Sequence, residues 1–159
     1  MPVPSIRLNH IPNSAISQMG RLAEQYQAVN LAQGVPDFDP PAEMLAAAGQ
    51  ALLSGHNQYT ATWGSPRLRR ALADKHRRFS GLEIDPEQHV TITVGDTEAI
   101  LAALITITNP GDAVVIFSPH YEAYLVDARL LNARPVHVPL HPPELTFDPD
   151  DLRKAFQAG

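Results

Sequence analysis

The chain has 159 residues, 44% of them hydrophobic and 18% charged, which is enough for one domain with its own core and too apolar for a disordered tail. A formal net charge of -5 gives no electrostatic footprint for nucleic acid. The absence of cysteine excludes a disulfide scaffold, a thiolate nucleophile and any cysteine-based zinc site.

No stretch approaches the roughly 18 apolar residues of a membrane span, and the opening MPVPSIRLNHIP has neither a long apolar core nor a small-residue cleavage signal. A cytoplasmic protein without membrane or nucleic-acid partners is expected. Residues 1–40 read as an arm and loop, with a short helix predicted over 14–23 and a brief extended piece over 29–33. That piece runs into the turn Gly34-Val35-Pro36-Asp37. From Pro41 the period changes: Met44, Leu45, Ala48, Ala51 and Leu52 recur at helical spacing, with Pro41 in the first turn and Gly55 as a stop. A second helix has Ser65 as cap, Pro66 at its first position and Gly81 at its end. Its arginines Arg67, Arg69, Arg70, Arg77 and Arg78 read as one wet face. Between the two helices lies the aromatic loop 56–64, with Tyr59 and Trp63, the kind of loop that often serves a site.

The remainder alternates strand and helix. Val90, Ile92 and Val94 alternate with Thr91 and Thr93 as a predicted strand; helix follows over 97–107, a buried strand over 113–117, helix over 121–131 and a short strand over 135–138. The last helix has Asp148 as cap and Pro149 at its first position. Strands alternating with helices imply an α/β fold with a parallel sheet.

Gly95-Asp96-Thr97 falls where the first predicted strand meets a helix, so backbone N–H groups and the positive end of the helix dipole converge there. Such a point either holds a phosphate, with Thr97 adding a hydroxyl, or is simply capped by Asp96 or Thr97. GDTEAI lacks the later glycines of a dinucleotide fingerprint, and no GK[ST] of a P-loop follows. Pro119 to Tyr124 lies beyond the carboxyl end of the second strand, where open parallel sheets place ligands. Tyr121 and Tyr124 there either stack on a planar heterocycle or pack at a helix start. His137 and His141 are four apart, but Pro139 between them denies a shared helical face, so no metal site is expected. The only lysines, Lys75 and Lys154, read as solvated surface charges.

The sequence resembles the N-terminal portion of class I/II aminotransferases, pyridoxal-phosphate enzymes of fold type I. The matching pieces are LAQGVPDF at 31–38, NQYT at 57–60 followed by Gly64 and Leu68-Arg69, TVGDTEA at 93–99, and NPGD at 109–112 leading to Pro119-His120-Tyr121. They stand in the family's order along nearly the whole chain, and their style is most similar to the kynurenine, glutamine and methionine aminotransferase subgroup.

The resemblance implies an arm and substrate-loop segment over 1–40 and the first part of a three-layer α/β/α large domain over 41–159. Its cofactor is pyridoxal 5′-phosphate, its substrates an amino acid and a 2-oxo acid, and its full-length form a homodimer. Gly34 is implied at the substrate α-carboxylate. Gly95, Asp96 and Thr97 are implied at the cofactor phosphate, Tyr121 on the pyridine ring, and Tyr59 at the phosphate of the neighbouring subunit.

Two departures from the family pattern matter. Asp96 stands where the family usually has a small neutral residue, and a carboxylate aimed at a phosphate dianion is repulsive. The family's Schiff-base lysine, its pyridine-pairing aspartate and its carboxylate-binding arginine have no counterpart among residues 1–159, so no catalytic residue is assigned and the isolated chain is expected to be inactive. In the family the first strand lies at the opposite side of the sheet from the second and third, with later strands between them. Residues 90–94 are therefore expected to lack a neighbour. The chain reads as a truncated gene product, a split protein or part of a longer sequence; the other reading is a non-catalytic remnant or split half that binds a partner subunit.

Overall fold

The computed structural model describes residues 3–157, with the side chain of His10 left aside. The chain divides into two compact units: Met1–Ala32 together with Val94–Gly159, and Gln33–Thr93.

In the first unit a 3-10 turn, Ile6–His10, precedes helix α1, Ala15–Tyr26. Ser14 caps α1 by accepting from the Ser17 amide at 3.0 Å. The helix runs beyond the predicted end and closes on Gln27, a left-handed residue at φ 50°. Helix α4 (Gly95–Ile107), strand β1 (Ala113–Ser118), helix α5 (Glu122–Leu130) and strand β2 (Arg134–Pro139) follow, and helix α6 (Pro149–Gln157) completes the unit. Asp148 starts α6 as expected, its Oδ1 accepting from the Asp150 amide at 2.7 Å.

β1 and β2 run parallel, in register from Ala113 opposite Arg134 to Ser118 opposite Pro139, and α5 provides the crossover that parallel strands require. The core is small. Ile116, Ala128 and Ala133 are buried together with Val114 and Leu125 against them, and Val138 is fully enclosed on β2.

In the second unit the predicted helices are present as α2 (Ala42–Leu53) and α3 (Pro66–Ser80). Pro41 sits at the α2 cap, and Gly55 at φ 87° follows the end. Ser65 and Pro66 open α3, and Gly81 at φ 68° closes it.

Two expectations are corrected here. Residues 90–94 form no strand: a strand is defined by its ladder, and the Ile92 amide donates instead to the Trp63 carbonyl at 3.0 Å. Arg69 does not belong to the wet face of α3; it is 2% exposed. Elsewhere large apolar side chains stay open to solvent. Neither α2 nor α4, both rich in alanine and leucine or isoleucine, has a buried residue.

Candidate functional site

α4 begins at Gly95, whose φ of 76° suits glycine and whose missing Cβ leaves open space, nothing lying within 4 Å. The capping position is Val94, which brings no side-chain acceptor to the first turn. Glu98 reaches back to accept from the Val94 amide. Asp96 and Thr97 thus lie inside the helix rather than capping it, and all three residues of the Gly95-Asp96-Thr97 step are exposed. Asp96 makes no hydrogen bond or ion pair among the described residues. In the first turn its charge complements the helix dipole.

Thr97 lines a cavity of about 330 Å³ whose other walls are arm residues 11–14 and, around the start of α5, Tyr121, Glu122, Ala123, Val126 and Asp127. Two residues singled out from separate sequence motifs, Thr97 and Tyr121, therefore share one space. Tyr121 meets Tyr124 edge-on, with ring centroids 5.7 Å apart and planes at 87°, which favours one ring orientation. Glu122 holds the arm, accepting from Ser14 Oγ at 2.5 Å and from the Ala15 amide at 3.0 Å. Asp127 is 4% exposed, and its Oδ2 finds no hydrogen-bond partner among the described residues. Burial pushes its carboxyl above the ordinary carboxylate range.

Sequence reasoning had assigned nothing to Glu122 and Asp127. Glu122 meets Ser14 across 108 positions, a relationship that no local pattern announces.

Gly34 and Tyr59 belong to the other unit. Gly34 is exposed with open space at its α-carbon, and Tyr59 is fully exposed on the loop between α2 and α3.

Of the lysines, Lys154 is bridged to Asp151 at 3.0 Å on α6. The Asp151 hydrogen bond and charge hold its ammonium above the usual range, the opposite of what a nucleophilic amine needs. Lys75 is exposed on α3. His137 bonds to Ser118 Oγ at 2.9 Å and stacks on His120 at 5.6 Å. Among the described residues no group of three or more metal-capable side chains forms, and no helix is long and apolar enough to cross a membrane.

A parallel strand–helix–strand unit with a ligand-sized space beyond its carboxyl end defines an α/β protein. Known structures give that class a specific form. The chain superposes on N-succinyldiaminopimelate aminotransferase from Mycobacterium tuberculosis with a TM-score of 0.88 at 42% identity, covering 96% of this chain and 40% of that one. It superposes on YbdL from Escherichia coli, a protein with a methionine aminotransferase function, with a TM-score of 0.89 at 33% identity, covering 97% and 40%.

In sequence it is 43% identical to the probable N-succinyldiaminopimelate aminotransferase DapC of Mycobacterium tuberculosis over 151 residues, 94% of this chain and 38% of that protein. It is also 37% identical to human kynurenine–oxoglutarate transaminase 1 over 139 residues, 86% of this chain and 33% of that protein. The model of the family "Aminotransferase class I and II" matches residues 26–158. The chain belongs to the class I and II aminotransferase family, with the α/β fold of the amino-terminal part of fold type I pyridoxal-phosphate enzymes. It spans about two fifths of the length of the solved relatives it matches, 40% in both structures.

Proposed function

We propose that the chain is the amino-terminal part of a pyridoxal-phosphate-dependent aminotransferase, cytoplasmic and dimeric in its full form, whose parent reaction moves an amino group from an amino acid to a 2-oxo acid. The observation that carries this reading is the single cavity shared by Thr97 and Tyr121 in a chain of aminotransferase family.

The residues present suit one end of that coenzyme. The amides of the first turn of α4 and the Thr97 hydroxyl offer donors to a phosphate dianion where the helix dipole already favours negative charge. Gly95 lets the phosphate come close to the backbone, and the exposure of Asp96 leaves its carboxylate to water, which screens its repulsion of the phosphate. Tyr121 provides a flat face for the pyridine ring, with Tyr124 holding it from the edge. When bound, the coenzyme supplies an electron sink for the substrate α-carbon. Gly34 offers its backbone to the substrate α-carboxylate, and Tyr59 reaches the phosphate of the neighbouring subunit.

Proton transfer at the substrate α-carbon needs an amine of lowered pKa at the coenzyme, and neither lysine fits. Lys154 is salt-bridged, and Lys75 is an exposed helix residue. The purified chain mixed with pyridoxal 5′-phosphate is therefore expected to show no absorbance band of a lysine-bound coenzyme and no amino-group transfer. Coenzyme trapped by borohydride on Lys75 or Lys154 together with measurable turnover would overturn the reading.

A second reading, a split half that binds a partner supplying the rest of the domain, draws on the open apolar surface: Val94 is 90% and Leu53 86% exposed, more than solvent alone favours. The two readings separate on mixing with the separately produced carboxyl-terminal remainder of a relative. A stable complex with a lysine-bound coenzyme band supports the split half, and two non-interacting species support the fragment alone.

A further inference from the structure

We propose that Arg69 is a positioning residue: its guanidinium clamps the aromatic loop 56–64 and so sets the direction in which the Tyr59 hydroxyl is offered to a phosphate-bearing ligand. This rests on the phosphate role proposed for Tyr59. Arginine is almost never fully buried unless its donors are used, and here three nitrogens are. Nε donates to the Gly64 carbonyl at 3.3 Å, one terminal nitrogen to the Pro86 carbonyl at 2.7 Å and the other to Glu87 Oε2 at 2.8 Å. The acceptors diverge and two of them are fixed backbone, a geometry that a planar fork satisfies and an ammonium does not. The Glu87 side chain is 58% exposed, so screening weakens that pair and the carbonyls define the clamp.

Both segments that Arg69 joins are held independently. The Ile92 amide donates to the Trp63 carbonyl at 3.0 Å. A Cβ on Gly64 would lie 2.3 Å from Ile92 Cγ1, so the end of the loop and the segment after the 85–89 turn run at backbone distance. That turn is itself tied, the Asp85 carboxylate accepting from the Glu87 amide at 2.8 Å and from Gln88 Nε2 at 3.0 Å. At the other end of the loop, Asn57 Nδ2 donates to the Leu52 carbonyl at 3.0 Å. Between these pinned ends Tyr59 stands wholly in solvent with no hydrogen bond among the described residues. Ordering a loop around an unengaged aromatic gains nothing for this unit. It lowers the ordering cost when a ligand arrives at the hydroxyl.

The test uses the whole chain, its one tryptophan, Trp63, as reporter, and pyridoxine 5′-phosphate, which keeps ring and phosphate but cannot react with lysine. In R69K, which retains the charge and loses the fork, the Ile92 amide is expected to exchange roughly ten-fold faster while the β1–β2 amides keep wild-type rates. Affinity for the ligand, read from Trp63 emission, is expected to fall about five-fold in R69K and in Y59F, and the double variant to bind no more weakly than Y59F. A purely structural role for Arg69 makes the two losses add. Additive losses, or wild-type exchange at Ile92 in R69K, overturn the proposal. So does an unprotected Ile92 amide in the wild type, whether or not R69K folds. A wild-type chain with a protected Ile92 amide and no saturable binding overturns the phosphate role of Tyr59, and the positioning role falls with it.

Discussion

Thr97, in the first turn of α4, and Tyr121, the residue at the cap of α5, line one cavity although most of a helix, a strand and their connections separate them in the chain. A hydroxyl donor and an aromatic face thereby flank a space of about 330 Å³, within the range of small-ligand sites.

Removing the hydroxyl tests the phosphate end. Thr97→Ala is expected to weaken binding of pyridoxine 5′-phosphate by about 1 kcal/mol, roughly five-fold, measured by titration calorimetry. Asp96→Ala is expected to leave affinity equal or improved, because it removes a like charge from the first turn. It also removes a favourable helix-dipole interaction, so the fold should lose about 0.5 kcal/mol. A large loss of affinity in Asp96→Ala would assign that side chain a direct role in holding the ligand.

Gly64 and Ile92 make a second test, on sterics. Gly64 has φ 97°, and a Cβ there would fall 2.3 Å from Ile92 Cγ1 and 2.5 Å from Ile92 Cβ. Gly55 has φ 87° with nothing within 4 Å of the same position. Gly55→Ala thus meets only the left-handed penalty, about 1 kcal/mol. Gly64→Ala adds overpacking and should cost about 3 kcal/mol in urea unfolding. Equal costs would mean that the segments holding Gly64 and Ile92 separate easily.

The parts of the fold that could be read from sequence are those governed by local chemistry. Ser65-Pro66 and Gly81 frame α3, Asp148 opens α6, and apolar runs give β1 and β2, because caps, prolines and periodicity act within a few residues. The rest depends on partners far away in the chain. Residues 90–94 alternate like a strand, but a strand needs a neighbour. Arg69 looks like any surface arginine until Gly64, Pro86 and Glu87 surround it. α1 ends on Gln27 at φ 50°, where no glycine signals the stop. At the candidate site, Thr97 and Tyr121 stand in motifs that are visible locally, whereas the cavity they share and the arm that walls it, tied down by Glu122 from across the chain, are not.

That tie can be measured. Glu122 accepts from Ser14 Oγ and from the Ala15 amide, satisfying donors at the start of α1 that would otherwise face water. Glu122→Ala is expected to cost about 1 kcal/mol and to speed proteolysis within α1. Glu122→Gln, which keeps one acceptor oxygen, should lie between. Unchanged cleavage of α1 in Glu122→Ala would show the arm to be held by its other contacts.

Asp127 gives a pH signature. Burial disfavours its charged form, so the folded carboxyl keeps its proton to higher pH than the unfolded one, whose ordinary value is 3.8. Between those two values the folded state binds more protons, and stability falls as pH rises through that window and stays lower above it. Asp127→Asn preserves the shape and cannot ionise. The variant is expected to be more stable than the wild type at pH 7, with the difference shrinking toward pH 3.8 and gone below it, as read from thermal unfolding across pH. A variant less stable at neutral pH would mean that the Asp127 carboxylate is charged and paired in solution, with a cation or donor reaching Oδ2 from within the cavity.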